Sequence, residues 1–327
     1  MPTKPAAARV SPRSCQPGRA WGKVILLGEH AVVYGVPALA VGIDRGAHAT
    51  ATAIAGRASV LEVAGWDLVV TEGDSATEMG RAFTALVEAS RAAGAAIVHR
   101  SAVRVAVKVD LPPGGGLGCS AALGVAIAGA LVPVSSATET AELAMAWERV
   151  FHGNPSGIDA AVSAHGGSIL FQKGRPMQHV ALGRPLTVCV GSTGKASSTR
   201  AMVEWVAALR VRSPAMVDKA FDGIAALVGS ARTALEAGDL DALGNLMDLN
   251  QMILSGLFLS TEELERLCST ARDAGALGAK LTGGGGGGSA VALAADEAAG
   301  ERVLGAWQAA GFTGFVARVE AKPEVGG

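Results

Sequence analysis

The stretch that most constrains this chain runs from Val103 to Leu131. Val103, Val105, Val107 and Val109 alternate with Arg104, Ala106 and Lys108, the period-2 pattern of a strand with one buried and one wet face. Pro112 and Pro113 end that strand, glycines turn the chain, and the small apolar residues from Cys119 onward predict a buried helix. A strand that delivers glycines to a helix N-terminus brings unpaired backbone N–H groups to the positive end of the helix dipole, so an anion cradle is expected here. A Gly-rich turn packed closely on a sheet is the alternative, and the loop alone does not separate the two. A Walker A loop is excluded, because no lysine follows Gly118. Gly116, Gly118 and Ala121 satisfy GxGxxA, but the acid a dinucleotide site needs about 20 residues later falls in the helical segment around Glu139 to Glu142.

On either side of this stretch the pattern alternates between strands and helices. A strand is expected from Trp21, followed by a Gly-marked turn, and AHATATAIA suits another. A helix is expected from Met79 to Ala93, stopped by Gly94, and a second from Thr138 to Phe151, with Leu143, Trp147, Val150 and Phe151 on one face and Glu148 at its border. HGNPSGIDAAVSAHGG reads as a loop, and SILF and LTVCVG read as strands. Beyond a boundary near Arg184 the pattern is helical from Thr199 to about Leu254. A further helix opens on a capping box of Ser260 and Glu263, with Leu264, Leu267, Cys268 and Ala271 as its stripe. AKLT, six glycines from Gly283 to Gly288, the strand SAVALA, a helix from Glu301 to Ala310 and the strand FVARV complete an α+β second half. The expected division is a flexible basic tail over 1–18, an N-terminal domain over 19–184 and a C-terminal domain over 185–327.

Half of the 327 residues are apolar, 17% are charged and the formal net charge is −1. That balance excludes a disordered polyelectrolyte and gives no electrostatic footprint for nucleic acid or an anionic membrane. Cys15, Cys119, Cys189 and Cys268 form neither a CxxC pair nor a cluster with zinc spacing, so a reducing compartment is expected. With no run of 18 strongly apolar residues, the expectation is a cytoplasmic protein without a membrane span.

Several polar residues stand out, each with two readings. Ser120 and Glu148 are hard oxygen donors of the type Mg²⁺ prefers, though a serine there also caps a helix and a helix glutamate is usually solvated. Asp159, in NPSGIDAAV, is a helix cap or a functional acid. Lys23, in an apolar strand, either neutralises phosphate charge or snorkels at a strand edge. His30, next to Glu29, binds substrate or satisfies local backbone groups. The six-glycine run is a linker or a flexible loop that closes over phosphates.

Taken together and in order, KVILLGEHAVVYG at Lys23 to Gly35, PPGGGLGCSAA at Pro112 to Ala122, ERVFHGNPSGID at Glu148 to Asp159 and KLTGGGGGG at Lys280 to Gly288 resemble the signature segments of the GHMP small-molecule kinases, most closely those of the mevalonate kinase branch. The resemblance runs from about Trp21 to Val319. It implies an α+β two-domain fold, with an N-terminal domain similar to ribosomal protein S5 domain 2, a ferredoxin-like C-terminal domain and the site in the cleft between them. It further implies ATP-dependent phosphorylation of the C5 hydroxyl of mevalonate, a step of isoprenoid biosynthesis, in an enzyme that can be a homodimer. By the same resemblance Pro113, Gly114, Gly115, Gly116, Leu117, Gly118, Cys119 and Ser120, with Gly284 and Gly285, hold the ATP phosphates, and Ser120 and Glu148 bind Mg²⁺. Asp159 is implied as the base, supported by Lys23, and Glu29, His30, Ser156, Gly157 and Thr199 are implied at the substrate. The chain departs from the family in three places. Cys119 replaces the first serine of a GLGSS segment, Ser197 stands where an arginine is frequent, with Lys195 and Arg200 close by, and the connection from Leu131 to Thr138 is short.

Overall fold

A computed structural model describes residues 17–112, 115–133, 135–153 and 155–320. Strand β1 (Gly18–Leu27) runs antiparallel to β2 (Ala38–Ile54), with a short 3-10 turn, Ala31–Tyr34, between them. β1 starts three residues before the expected position and takes in the last residue assigned to the tail: Gly18, Arg19 and Ala20 pair with Ala49, His48 and Ala47. Close packing explains this, since a Cβ on Gly18 would lie 2.0 Å from the Ala126 carbonyl oxygen and only glycine lets the strand pass. Pro17 of the expected basic tail is exposed, and residues 1–16 lie outside the described residues.

The chain continues through β3 (Val60–Ala64), β4 (Leu68–Thr71), α1 (Glu78–Ala92), α2 (Ala96–Arg100), β5 (Ala102–Val109), α3 (Cys119–Leu131), α4 (Ala137–His152), α5 (Ile158–His165), β6 (Ser168–Phe171) and β7 (Gln178–His179). These strands form one sheet in the order β4-β3-β5-β2-β6-β7, with β1 also on β2 and a single parallel pair, β3 with β5. In β5, Val103, Val105 and Val107 are buried while Arg104, Ala106 and Lys108 are exposed, as the alternation requires. Helix α3 packs on β1 and β2 and is buried almost all round, which its lack of any polar face dictates. The segment expected as a loop after Gly153 contains α5. Its eight residues are mostly small, and its cap is the backbone of Gly157, left-handed at φ 93°, so it carries no side-chain start signal.

From β8 (Leu186–Ser192) the second half runs through α6 (Thr199–Arg212), α7 (Pro214–Ala237), α8 (Leu240–Gly256), α9 (Glu262–Asp273), β9 (Gly278–Thr282), β10 (Ser289–Ala294), α10 (Glu297–Ala309) and β11 (Thr313–Val319). The order β11-β8-β10-β9, antiparallel throughout, is the ferredoxin-like arrangement of a split β-α-β unit. The stripe Leu264, Leu267, Cys268 and Ala271 is buried as expected. The cap of α9 is Thr261, however, whose hydroxyl accepts from Leu264 N–H, because Ser260 Oγ is taken by the Gln251 side chain. α10 begins four residues before the expected Glu301, capped by Asp296.

Thr282 joins the two halves: its hydroxyl accepts from the N–H of Ile25 at 3.2 Å and donates to the carbonyl of the same residue at 3.3 Å. Among the described residues, no helix is long and apolar enough to cross a membrane.

Candidate active site

Gly118 is the N-cap of α3, left-handed at φ 70°, and no side chain caps the first turn, so its N–H groups are available to an anion. Lys23 N–H donates to Leu117 O at 2.9 Å and ties the turn to β1. A Cβ on Gly118 would fall 2.7 Å from Lys23 Cγ, so glycine here lets the lysine stem pass against the loop. Pro113 and Gly114 lie outside the described residues, while Gly115 through Ser120 form the described part of the turn. Burial pushes the Cys119 thiol up to about 12, so this residue lines the turn as a neutral side chain.

Lys23 is 3% exposed, and its Nζ lies 3.1 Å from Asp159 Oδ1. Asp159 sits in the first turn of α5, with its side chain a third exposed and so open to a substrate. Nearby, the Ser120 hydroxyl donates to Glu148 Oε1 at 2.9 Å and accepts from Trp147 Nε1 at 3.2 Å. His152, one turn further along α4, places Nε2 3.7 Å from the other Glu148 oxygen. The structure therefore brings Lys23, Ser120, Glu148 and Asp159 together from four elements.

Glu148 is almost wholly buried. Desolvation, reinforced by the Asp159 charge, raises its carboxyl to about 7, against weaker opposing effects of Ser120 and Lys23. Because the folded value exceeds the unfolded 4.5, the folded protein binds more protons in that window, and stability is lost as pH rises from about 4.5 to about 7. Glu148→Gln is uncharged at every pH. In metal-free buffer it is expected to be more stable than the wild type by ~2–3 kcal/mol at pH 8 and nearly equal at pH 4.5. Urea midpoints at the two pH values measure this, and a difference that ignores pH would remove the cause assigned to the shift.

The opposite wall is the turn Gly283 to Gly288, which is neither a linker nor an unattached loop. Gly286 N–H donates to Leu259 O at 2.8 Å, Gly288 N–H donates to Lys195 O at 3.0 Å, and the Ser197 hydroxyl donates to Gly285 O. A Cβ on Gly283 would lie 3.2 Å from Gly116 O, so the two glycine turns meet. Thr199, the first residue of α6, packs against Gly284. His30, with φ at 60°, donates from Nε2 to Gly284 O at 2.8 Å, and burial lowers its pKa despite that bond.

Glu29 does not join this cluster. Its carboxylate is turned into the core, ion-paired with the fully buried Lys280 and bonded by Asn250 Nδ2 at 3.2 Å. Ser156 lies at the start of α5, its hydroxyl accepting from Ile158 N–H at 3.4 Å, and Gly157 caps the same helix. Sequence reasoning assigned no role to Lys280, Asn250, Trp147 or His152. Lys280 carried a usable signal, since a lone cation in the apolar strand AKLT requires a buried counter-ion. Away from the cluster, an apolar groove of about 610 Å³ lies between Trp205, Leu209 and Phe258.

Residues 80–167 match the GHMP kinases N terminal domain and residues 231–312 match GHMP kinases C terminal. A mevalonate kinase from Pyrococcus abyssi is 33% identical, covering 91% of this chain and 93% of its own. One from Thermococcus onnurineus is 34% identical over 84% and 88%. The crystal structure of L. major mevalonate kinase in complex with R-mevalonate superposes with a TM-score of 0.82 at 28% identity, covering 95% of this chain and 99% of that one. Lactococcus lactis galactokinase, at 20% identity and a TM-score of 0.74, shares the fold. With a third of its residues shared over most of its length, and with both GHMP domains present, the chain belongs to the mevalonate kinase family of the GHMP kinases.

Proposed function

We propose that this chain transfers the γ-phosphoryl group of ATP to the C5 hydroxyl of mevalonate, giving 5-phosphomevalonate and ADP. The observation that carries the reading is the Lys23–Asp159 pair set beside Ser120 and Glu148 at the open N-terminus of α3. The first-turn N–H groups of α3 and the backbone of Gly115 to Gly118 receive the phosphates, with Gly284 and Gly285 on the far side. Asp159 accepts the proton of the substrate hydroxyl as its oxygen bonds to phosphorus, and the bond from the γ-phosphorus to the bridging oxygen breaks with its electron pair leaving on ADP. Lys23 is the counter-ion of Asp159 and adds positive charge next to the phosphates. In this reading His30, hydrogen-bonded to the Gly284 carbonyl, and Thr199, packed against Gly284, stand on the acceptor side.

Ser120 and Glu148 fit Mg²⁺: both offer hard oxygen, and Glu148 is a buried carboxyl that no lysine or arginine among the described residues ion-pairs. Bound there, Mg²⁺ supplies charge neutralisation at the phosphates. The reading includes a cytoplasmic setting, supported by the free, buried thiols of Cys119, Cys189 and Cys268.

Purified protein with Mg-ATP and a panel of mevalonate, phosphomevalonate, galactose and homoserine provides the test, read as ADP release together with product mass. Gain of one phosphoryl group on mevalonate alone is expected. Turnover of a different alcohol would overturn the substrate, and no turnover of any would overturn the enzyme.

A further inference from the structure

The Ser120 hydroxyl is itself held in place, and the hold comes from an uncharged side chain in the core. Trp147 is completely buried, between Gly124 of α3 and Phe151 of its own helix α4. A Cβ on Gly124 would fall 2.8 Å from the indole Cδ1, so the ring fills space that only glycine leaves. The Phe151 ring packs on its other side, 5.6 Å between centroids. Confined in this way, the indole has one orientation, and in it Nε1 donates to Ser120 Oγ at 3.2 Å.

The direction of that bond decides the rest. An indole N–H is a donor only, so Ser120 Oγ accepts it and keeps one proton and one lone pair. With Glu148 charged, as a metal ligand must be, the proton goes to Glu148 Oε1 at 2.9 Å, on a carboxyl that is 2% exposed. What remains is a single lone pair on a half-buried residue, in the uncapped first turn of α3. A serine at a helix start otherwise rotates and bonds its own backbone. Here that rotation would leave the buried N–H without an acceptor, a penalty comparable to the whole bond.

We propose that Trp147 is a positioning residue whose indole N–H fixes the Ser120 hydroxyl, so that its proton serves Glu148 and its free lone pair serves Mg²⁺. This rests on the reading of Ser120 and Glu148 as metal donors, which Ser120→Ala tests by itself.

The probe is Mn²⁺, which suits the same hard-oxygen ligands. It is titrated into the protein with a non-hydrolysable ATP analogue, and free Mn²⁺ is counted by paramagnetic resonance, so no turnover enters the readout. Wild type, Ser120→Ala, Trp147→Phe, the double variant and Trp147→benzothienylalanine are compared. The last keeps the bicyclic shape with sulfur in place of N–H, in both the wild-type and Ser120→Ala backgrounds, and serves if Trp147→Phe does not fold. Loss of the N–H is expected to weaken Mn²⁺ binding roughly 3- to 10-fold, as loss of one neutral hydrogen bond does. In the Ser120→Ala background the same change should add less than about two-fold, because the bond is already gone. An equal factor in both backgrounds would make Trp147 a packing residue only, and unchanged Mn²⁺ affinity in the benzothienylalanine variant would equally overturn the proposal. Wild-type Mn²⁺ affinity in Ser120→Ala would overturn the metal reading, and the proposal with it, whatever the Trp147 variants do.

Discussion

Asp159→Asn is expected to reduce kcat for phosphoryl transfer by about 10²–10⁴-fold, the range set by loss of a positioned general base. Asparagine keeps the shape and one oxygen near Lys23, but its amide cannot take up the hydroxyl proton. Nucleotide affinity should stay within a few-fold, because the α3 turn and the glycine turns proposed to receive the phosphates are held by backbone hydrogen bonds and not by the Asp159 side chain. The substitution also removes the counter-ion of a lysine that is 3% exposed. A modest loss of stability therefore accompanies the catalytic one. Nucleotide binding by calorimetry and turnover with saturating mevalonate separate these effects, and a variant that turns over at the wild-type rate would exclude Asp159 as the base.

How much of this was legible in the sequence depends on the range over which each signal acts. The alternation in β5, the glycine turn and the apolar α3 are local patterns, and backbone periodicity was enough to find them. The start of α9 was ambiguous, since Ser260 and Thr261 are adjacent hydroxyls, and only the tertiary bond from Gln251 decides between them. α5 was missed because its cap is glycine backbone. β7 has only two residues and no pattern to read. The cluster of Lys23, Ser120, Glu148 and Asp159 was assembled by resemblance, because no spacing rule joins residues from β1, α3, α4 and α5. The destination of Glu29 was beyond any local signal: its partners, Lys280 and Asn250, are 251 and 221 residues away.

That buried pair sets the largest stability effect expected here. Lys280 and Glu29 are both completely buried at the side chain, between β9, α8 and the turn after β1. Burial lowers the pKa of Lys280, and its ion pair and hydrogen bond with Glu29 are the main effects that oppose this, so the ammonium depends on the carboxylate. Lys280→Met fills the same volume but leaves Glu29 with one hydrogen bond, from Asn250, and no counter-ion. The cost expected is about 3–5 kcal/mol, the usual penalty for one uncompensated buried charge. Adding Glu29→Leu removes the orphaned charge, and the double variant should recover most of that stability, since an apolar pair of similar volume often replaces a buried ion pair without loss. Urea denaturation of the two single variants and the double variant gives the coupling directly. A loss below about 1 kcal/mol in Lys280→Met would mean that the pair behaves as a solvent-screened one. The pair also anchors the residue before His30, which holds φ at 60° and donates to Gly284. The double variant, stable but without that anchor, should therefore show a raised KM for mevalonate with an unchanged KM for ATP, because the proposed reading sets His30 at the acceptor and the α3 turn does not touch Glu29.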